Sequence, residues 1–150
     1  VAFYKKISVP APTFCPQCRM IRRMVWRNER TLYHDTCDVT GDKMITMFNP
    51  DHGFTIYKRD YWWSDDWDAT AYGCDYDFDR PFFDQFKELL HRTPLPNIGN
   101  TNTVDSDYSN HVADSKNCYL TFGSFNIENV YYSQGAVNVQ DTYDAYKLMN

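Results

Sequence analysis

No run of eighteen apolar residues occurs in the 150 positions, so the sequence offers no helix that spans a membrane. Residues 1 to 14 lack the apolar stretch of a secretory signal, and a start at Val1 rather than Met leaves room for an earlier segment. Glycine is scarce, at six. The one basic stretch that holds a glycine, Thr40-Gly41-Asp42-Lys43, lacks the spacing that cradles phosphates. The five cysteines are an odd number, and two of them form the metal-type pair Cys15-Pro16-Gln17-Cys18. That pattern suits a reducing compartment rather than a disulfide framework, and a cytoplasmic location is expected. No catalytic signature stands out either. Cys74 and Cys118 with His91 or His111 supply nucleophile and base types without a local motif, so no activity and no small-molecule substrate are expected.

What is present is core-forming material. Apolar residues make up 43% and aromatics 17%, with twelve Tyr, ten Phe and four Trp, a composition that excludes disorder. The length fits one ordinary domain or two small ones, and two are expected. The charge is divided: residues 1 to 59 hold ten Lys and Arg against five Asp and Glu, and residues 60 to 150 hold five against fifteen. A basic head of this kind suits a phosphate backbone, or else packs on the acidic remainder of its own chain or of a neighbour.

Cys15 and Cys18 close one knuckle around a zinc ion, and Cys37-Asp38-Val39-Thr40-Gly41 begins a second with Thr40 in place of the last cysteine. His34, three residues before Cys37, is the first choice for the fourth ligand, with Asp38 and His52 behind it. Zinc is thus the expected cofactor, held by Cys15, Cys18, His34 and Cys37. From Arg19 to Arg30 a helical stripe of Ile21, Met24 and Val25 lies opposite Arg19, Arg22, Arg23, Arg27 and Arg30. This basic face suits nucleic-acid or anion contact, or a solvated helix surface. Met44–Phe48 and Phe54–Tyr57 flank Asn49-Pro50-Asp51-His52-Gly53 and are expected to pair as a hairpin.

Trp62, Trp63 and Trp67 form the densest aromatic segment. They make either a seam to the next layer or a platform for stacking sugars or bases, on a short helix from Ser64 to Gly73. Tyr76 and Phe78 are expected to point inward between Asp75, Asp77 and Asp79, without calcium, because the loop lacks the glycine and the glutamate that ion needs. Pro81 opens a second helix to Arg92 with Phe82, Phe83, Phe86, Leu89 and Leu90 as its apolar stripe. Residues 93–100 read as a linker by their Pro, Gly and Asn content.

Beyond the linker, Asp114-x-x-Asn117-x-Tyr119, Asn126-x-x-Asn129-x-Tyr131 and Asn138-x-x-Asp141-x-Tyr143 share one frame at twelve-residue spacing. Self-similarity at a fixed short period marks a solenoid. The expectation is a parallel β-helix with two such units per coil, so that Tyr119 and Tyr143 stack and Tyr131 lies opposite. The strand edge at Asn150 is expected to meet a further coil or an interface. The fold class is therefore α+β, with a zinc-ribbon or treble-clef-like domain with two short helices over 1–60, an aromatic helical connector over 61–93, and the start of a parallel β-helix over 104–150.

The segments CPQCRMIRRMVWRNER, CDVTGDKMITMF, YWWSDDWDATAYG and DFDRPFFDQFKELL, followed by Asn/Tyr repeats, together resemble a family of proteins from candidate-phyla-radiation bacteria. That family joins a zinc-ribbon-like head to a β-helix-like tail. The resemblance covers nearly the whole chain, implies metal positions at Cys15, Cys18 and Cys37, and implies further coils beyond this sequence. It implies no activity. The functional expectation is a non-enzymatic, zinc-stabilised interaction or assembly protein that binds a protein partner or itself through a solenoid stacking surface. The alternatives are RNA or ribosome binding through the arginine-rich helix, and glycan binding through the tryptophans.

Overall fold

The computed structural model describes residues 2–25 and 30–150; Arg27 and the side chain of His52 lie outside what is described. The described residues mix four helices with a parallel β-solenoid of about four turns. Helix α1 (Ala2–Lys6) precedes α2 (Pro16–Met24). α2 starts where it does because Pro16 needs no hydrogen-bond partner for its nitrogen and Cys15 caps the end, its Sγ accepting the Cys18 N–H at 3.3 Å. No residue of either helix is buried.

Strands β1 (Tyr33–Thr36) and β2 (Lys43–Thr46) form an antiparallel hairpin, with Tyr33 opposite Thr46. Gly41, at φ 75°, closes the turn between them, where its N–H donates to the Cys37 carbonyl at 2.9 Å. This corrects the expected pairing of Met44–Phe48 with Phe54–Tyr57. The intervening Pro50–His52 does turn, capped by Asn49 and ended by Gly53 at φ 71°. However, Asp38 captures the following segment instead. Its carboxylate accepts the Ile56 N–H at 2.6 Å, and its own N–H donates to the Ile56 carbonyl at 3.1 Å. Strand β3 (Ile56–Tyr57) then pairs in parallel with β4 (Leu95–Pro96). Cys37, Met44 and Ile56 form the small core here, with Phe48, Phe54, Tyr57 and Leu95 packed against it.

The connector differs from expectation in two places. Helix α3 (Arg59–Trp62) ends before Ser64, and a 3-10 turn over Ala69–Tyr72 is capped by Asp68. Ser64 does not start a helix because its hydroxyl donates back to the Tyr61 carbonyl at 2.8 Å. Tyr76 and Phe78 are exposed rather than inward. They sit in a non-strand segment where Asp77 accepts the Asp79 N–H at 2.9 Å and so bends the backbone. Helix α4 (Phe82–Arg92) follows the pattern read for it, yet Phe82, Phe83 and Phe86 are exposed.

Residues 93–100 are not a linker. Pro94, Asn97, Ile98 and Asn100 are buried, and Asn97 joins three elements at once. Its N–H donates to the Tyr57 carbonyl at 3.0 Å, and its carbonyl accepts the Met47 N–H at 2.9 Å and the Thr46 hydroxyl at 3.1 Å. Its side-chain amide donates to the Ile45 carbonyl at 2.6 Å, and its Oδ1 accepts the Arg59 N–H at 2.7 Å. Prolines fit beside it because a short strand at this position has few ladder donors to lose.

Strands β5 (Thr101–Val104), β6 (Asn110–Lys116), β7 (Phe122–Tyr131) and β8 (Val137–Tyr143) stack in parallel in that order. Thr101 pairs with Ala113, Phe125 with Val137, and Tyr131 with Tyr143. One coil is therefore twelve residues, not twenty-four, and Tyr131 lies between Tyr119 and Tyr143 rather than opposite them. The reason is backbone conformation. From His111 to Lys147 every third residue has φ near +50° or, at Gly123 and Gly135, above it. Each such residue turns the chain and resets the alternation of side chains, so that a side spans three residues and four corners close a coil.

The residue after each corner points inward, and from Ser106 to Val139 every third position is buried. These positions hold only small or slender side chains: Val112, Cys118, Ile127, Val130, Ala136 and Val139, interleaved with Ser and Thr. The inward hydroxyls serve the next coil. Ser106, Ser109, Ser124 and Ser133 accept the N–H groups of Cys118, Thr121, Ala136 and Ala145 at 3.0 to 3.3 Å. Those N–H groups would otherwise be buried at corners without partners.

Replacing Asn97 with Ala leaves the Ile45 carbonyl and the Arg59 N–H without the amide that joins them. A loss of roughly 1–3 kcal/mol is expected for each buried group so stranded. Denaturant unfolding measures it, and a change within about 0.5 kcal/mol, the range of an ordinary surface substitution, would show that Asn97 is not a clasp.

Candidate functional site

A solenoid whose interior admits only small side chains puts its larger ones outside in ladders. Tyr119, Tyr131 and Tyr143 stand one coil apart on one side, joined by the Tyr119–Tyr131 bridge and the Tyr131–Tyr143 pair. The rings of Tyr131 and Tyr143 stack at 5.0 Å and 15°. Tyr119 turns toward the adjoining corner, meeting Tyr108 at 5.5 Å and Tyr132 edge-on at 5.7 Å. Tyr108, Tyr119, Tyr132 and Tyr143 are all exposed. Tyr132 was missed in the sequence reading because it falls on a corner position, outside the frame of the Asn/Tyr repeat. The adjacent pair Tyr131-Tyr132 was the available signal, since one ring lies on the side and the other at the corner.

Amide ladders run beside the rings. Asn117 donates to Asn129 at 2.8 Å, and Asn129 to Asp141 at 2.7 Å. On the next corner Asn102 donates to Asp114 and Asn126 to Asn138, both at 2.9 Å. An Asn amide has two N–H donors and each ladder bond uses one, so the second is left to face outward. Lys116 and Glu128 pair at 3.4 Å on the side between these corners.

Of the expected metal ligands, Cys15 and Cys18 lie together at the start of α2. Cys15 and Cys18 are exposed on α2, Cys37 is buried under the β1–β2 turn, and His34 on β1 meets Tyr108 edge-on at 6.3 Å. Among the described residues no three His, Cys, Asp or Glu side chains form a group that would hold a metal. The donor types suit zinc and the placement does not. Thr40, standing where a fourth cysteine would, hydrogen-bonds the Cys37 thiol, and the Lys58 N–H reaches the same sulfur at 3.2 Å. Burial raises the Cys37 pKa, and these hydrogen bonds overcome it, so the thiol lies below its usual value. The Cys18 N–H and thiol lower Cys15, and that same contact raises Cys18.

Three of the arginines share α2. Arg19 donates to the Tyr4 hydroxyl at 3.1 Å, Arg22 lies 5.0 Å over the Phe14 ring, and Arg23 follows on α2. Arg30 lies outside that helix and lines a cavity of about 520 Å3 with Leu120, Tyr132 and Tyr146. The tryptophans differ in their surroundings. Trp62 donates its ring N–H to the Pro94 carbonyl at 3.0 Å and Trp67 to the Trp62 carbonyl at 2.7 Å, which fixes both in a seam. Trp63 remains 68% exposed. It borders a cavity of about 580 Å3 together with Arg59, Asp60, Asn102 and Thr103.

The nucleophile and base types stay apart in their surroundings. Cys118 is inside the solenoid, where burial raises its thiol pKa and its Sγ donates to the Lys116 carbonyl at 3.3 Å. His91 packs on the Phe54 ring at 4.6 Å, and His111 packs on Gly99, where a Cβ would meet its Nδ1 at 2.5 Å. No helix among the described residues is long and apolar enough to cross a membrane. Comparison with protein-family models, curated proteins and solved structures gives no match.

Thiol reactivity follows from these placements. Cys15, exposed and with a lowered pKa, carries more thiolate at neutral pH than Cys18. Alkylation of the native protein followed by peptide mass mapping is expected to mark Cys15 before Cys18 and to spare Cys37 and Cys118. Early labelling of Cys118 would contradict the solenoid interior described above.

Proposed function

We propose that this chain is a non-enzymatic interaction protein whose solenoid supplies a stacking surface for a partner. The observation that carries the reading is the ladder of Tyr119, Tyr131 and Tyr143, held one coil apart in register, with the exposed rings of Tyr108 and Tyr132 against Tyr119. A ring already fixed by its backbone and by a neighbouring ring loses little conformational freedom when a partner covers it. Aromatic rings on a surface carry most of the energy of a typical contact, while the amides beside them supply direction.

The test is the double variant Tyr119→Ser/Tyr132→Ser, with Tyr143→Ser added. All three rings are exposed, so the fold is expected to survive, as circular dichroism would verify. Native mass spectrometry of the protein taken from its source organism then reads its bound species. Loss of those species by about tenfold or more, equivalent to about 1.4 kcal/mol, is expected. Unchanged occupancy in the triple variant would refute the stacking surface.

Trp63 favours a second reading, glycan binding. An exposed indole beside the Asn102 amide and the Thr103 hydroxyl offers a flat face and neutral hydrogen-bond groups together. Linear neutral oligosaccharides are expected to quench tryptophan fluorescence in the native protein and not in Trp63→Ala. Equal quenching in both would remove this reading and leave the tyrosine surface untouched.

A further inference from the structure

Two segments away from the solenoid expose apolar side chains that a folded chain would ordinarily cover. The first is the arm formed by residues 2–25, in which α2 presents Ile21, Met24 and Val25 to solvent, Val25 at 72%. Its charged residues are Lys5, Lys6, Arg19, Arg22 and Arg23, with no carboxylate among them. The second is the face made by Tyr76, Phe78 and the start of α4. Phe78 is 90% exposed and Phe83 72%. Tyr76 meets Phe78 at 4.9 Å, and Phe82 stacks on Phe86 at 5.7 Å, so the rings form one contiguous patch. Asp75, Asp77, Asp79, Asp84 and Glu88 surround it against only Arg80 and Lys87.

We infer that the basic arm of one copy of this chain docks on the acidic aromatic face around α4 of a second copy. Three properties match. Both surfaces are apolar at the centre and charged at the rim, which is the anatomy of a protein interface. Their charges are opposite, so approach is favoured and like copies of either surface repel. Neither is covered within the chain, since the α2 side chains and the α4 rings are exposed in the same molecule. The internal pairing of charge is also limited. Arg80 is already bound to Glu88, and among the described residues no ion pair joins an arm cation to a carboxylate.

The arm is suited to the role because it is organised before it docks. Arg19 is held by Tyr4 and Arg22 by Phe14, so α1, the intervening segment and α2 present their cations from one folded unit. The contact joins unlike surfaces and is heterologous. It closes as a dimer when two arms exchange and extends when they do not. This inference uses neither the tyrosine row nor Trp63, and it stands or fails separately from both readings above.

Sedimentation velocity of the purified full chain over a range of concentrations, at low and at high salt, tests it. Concentration-dependent dimers or longer species are expected at low salt, with fewer at high salt because the rim charges are screened. Phe82→Ser/Phe83→Ser and Arg22→Glu/Arg23→Glu are each expected to weaken association by about tenfold or more. Asp77→Lys/Asp84→Lys is expected to do the same. Mixing the two charge-reversed proteins is expected to restore it, which a general loss of folding would not do. The proposal is overturned by a monomer under all conditions, by association that none of the variants changes, or by a mixture that fails to recover. It is equally overturned if the arm binds RNA with a steep salt dependence while the protein stays monomeric.

Discussion

A left-handed residue at every third position from His111 to Lys147 is the constraint from which the solenoid, its core and its surface follow. That conformation costs an ordinary L-residue about 1–2 kcal/mol, and less for Gly, Asn and Asp. The corners are accordingly rich in Asn, Asp and Gly, with Leu120, Tyr132 and Lys147 among the exceptions. Three residues per side leave one inward position each. With four sides facing one another across a narrow coil, only slender side chains fit, and close packing does not tolerate larger ones. The serines solve a second problem made by the same geometry: corner N–H groups turn away from the sheet, and an inward hydroxyl from the preceding coil receives them.

A solenoid of this kind needs a closed first coil, and Asn97 provides the connection. Its two backbone groups and its amide fix β2, β3 and the start of α3 against the segment that enters the first coil. Three residues further, Asn100 donates to the Ser109 carbonyl and accepts the Val112 N–H, and Asn110 accepts the Gly99 N–H. The hairpin core of Cys37, Met44 and Ile56 is too small to be stable on its own account. Asn97 attaches it to the segment that enters the first coil.

These features were unequally legible in the sequence. The parallel solenoid and its twelve-residue frame were readable because Asn and Tyr recur visibly at Asn117, Tyr119, Asn129 and Tyr131. The length of the coil was not, since period-two alternation in Phe125–Tyr131 looks the same whether or not Asn126 and Asn129 turn the chain. Helix α4 was readable from its apolar spacing, but spacing alone does not say whether an apolar stripe is covered. Residues 93–100 were misread because Pro, Gly and Asn mark loops by composition, and here the Asn side chains do the bonding that makes the segment buried. The pairing of β3 with β4 depends on Asp38 and on a partner thirty-nine positions away from Ile56, a contact no local pattern encodes. The register of Tyr119, Tyr131 and Tyr143 was legible in their repeat, whereas Cys15, Cys18, His34 and Cys37 were joined by spacing alone, and among the described residues no three ligating side chains form a group.

The width of the coil also limits what kind of function the molecule supports. Enclosed pockets that surround a small ligand need a wide interior or a cleft between layers. A twelve-residue coil filled by Val112, Val130 and Ala136 has neither. The outside of the coil repeats its chemistry at the spacing of stacked strands, about 4.8 Å. A surface that repeats in this way gains most from a partner that repeats or lies flat along it, because each coil adds a similar contact at no new ordering cost. The row from Tyr108 through Tyr119 to Tyr132 and the amide rows beside it share that spacing, so aromatic contact and hydrogen bonding advance together along the axis.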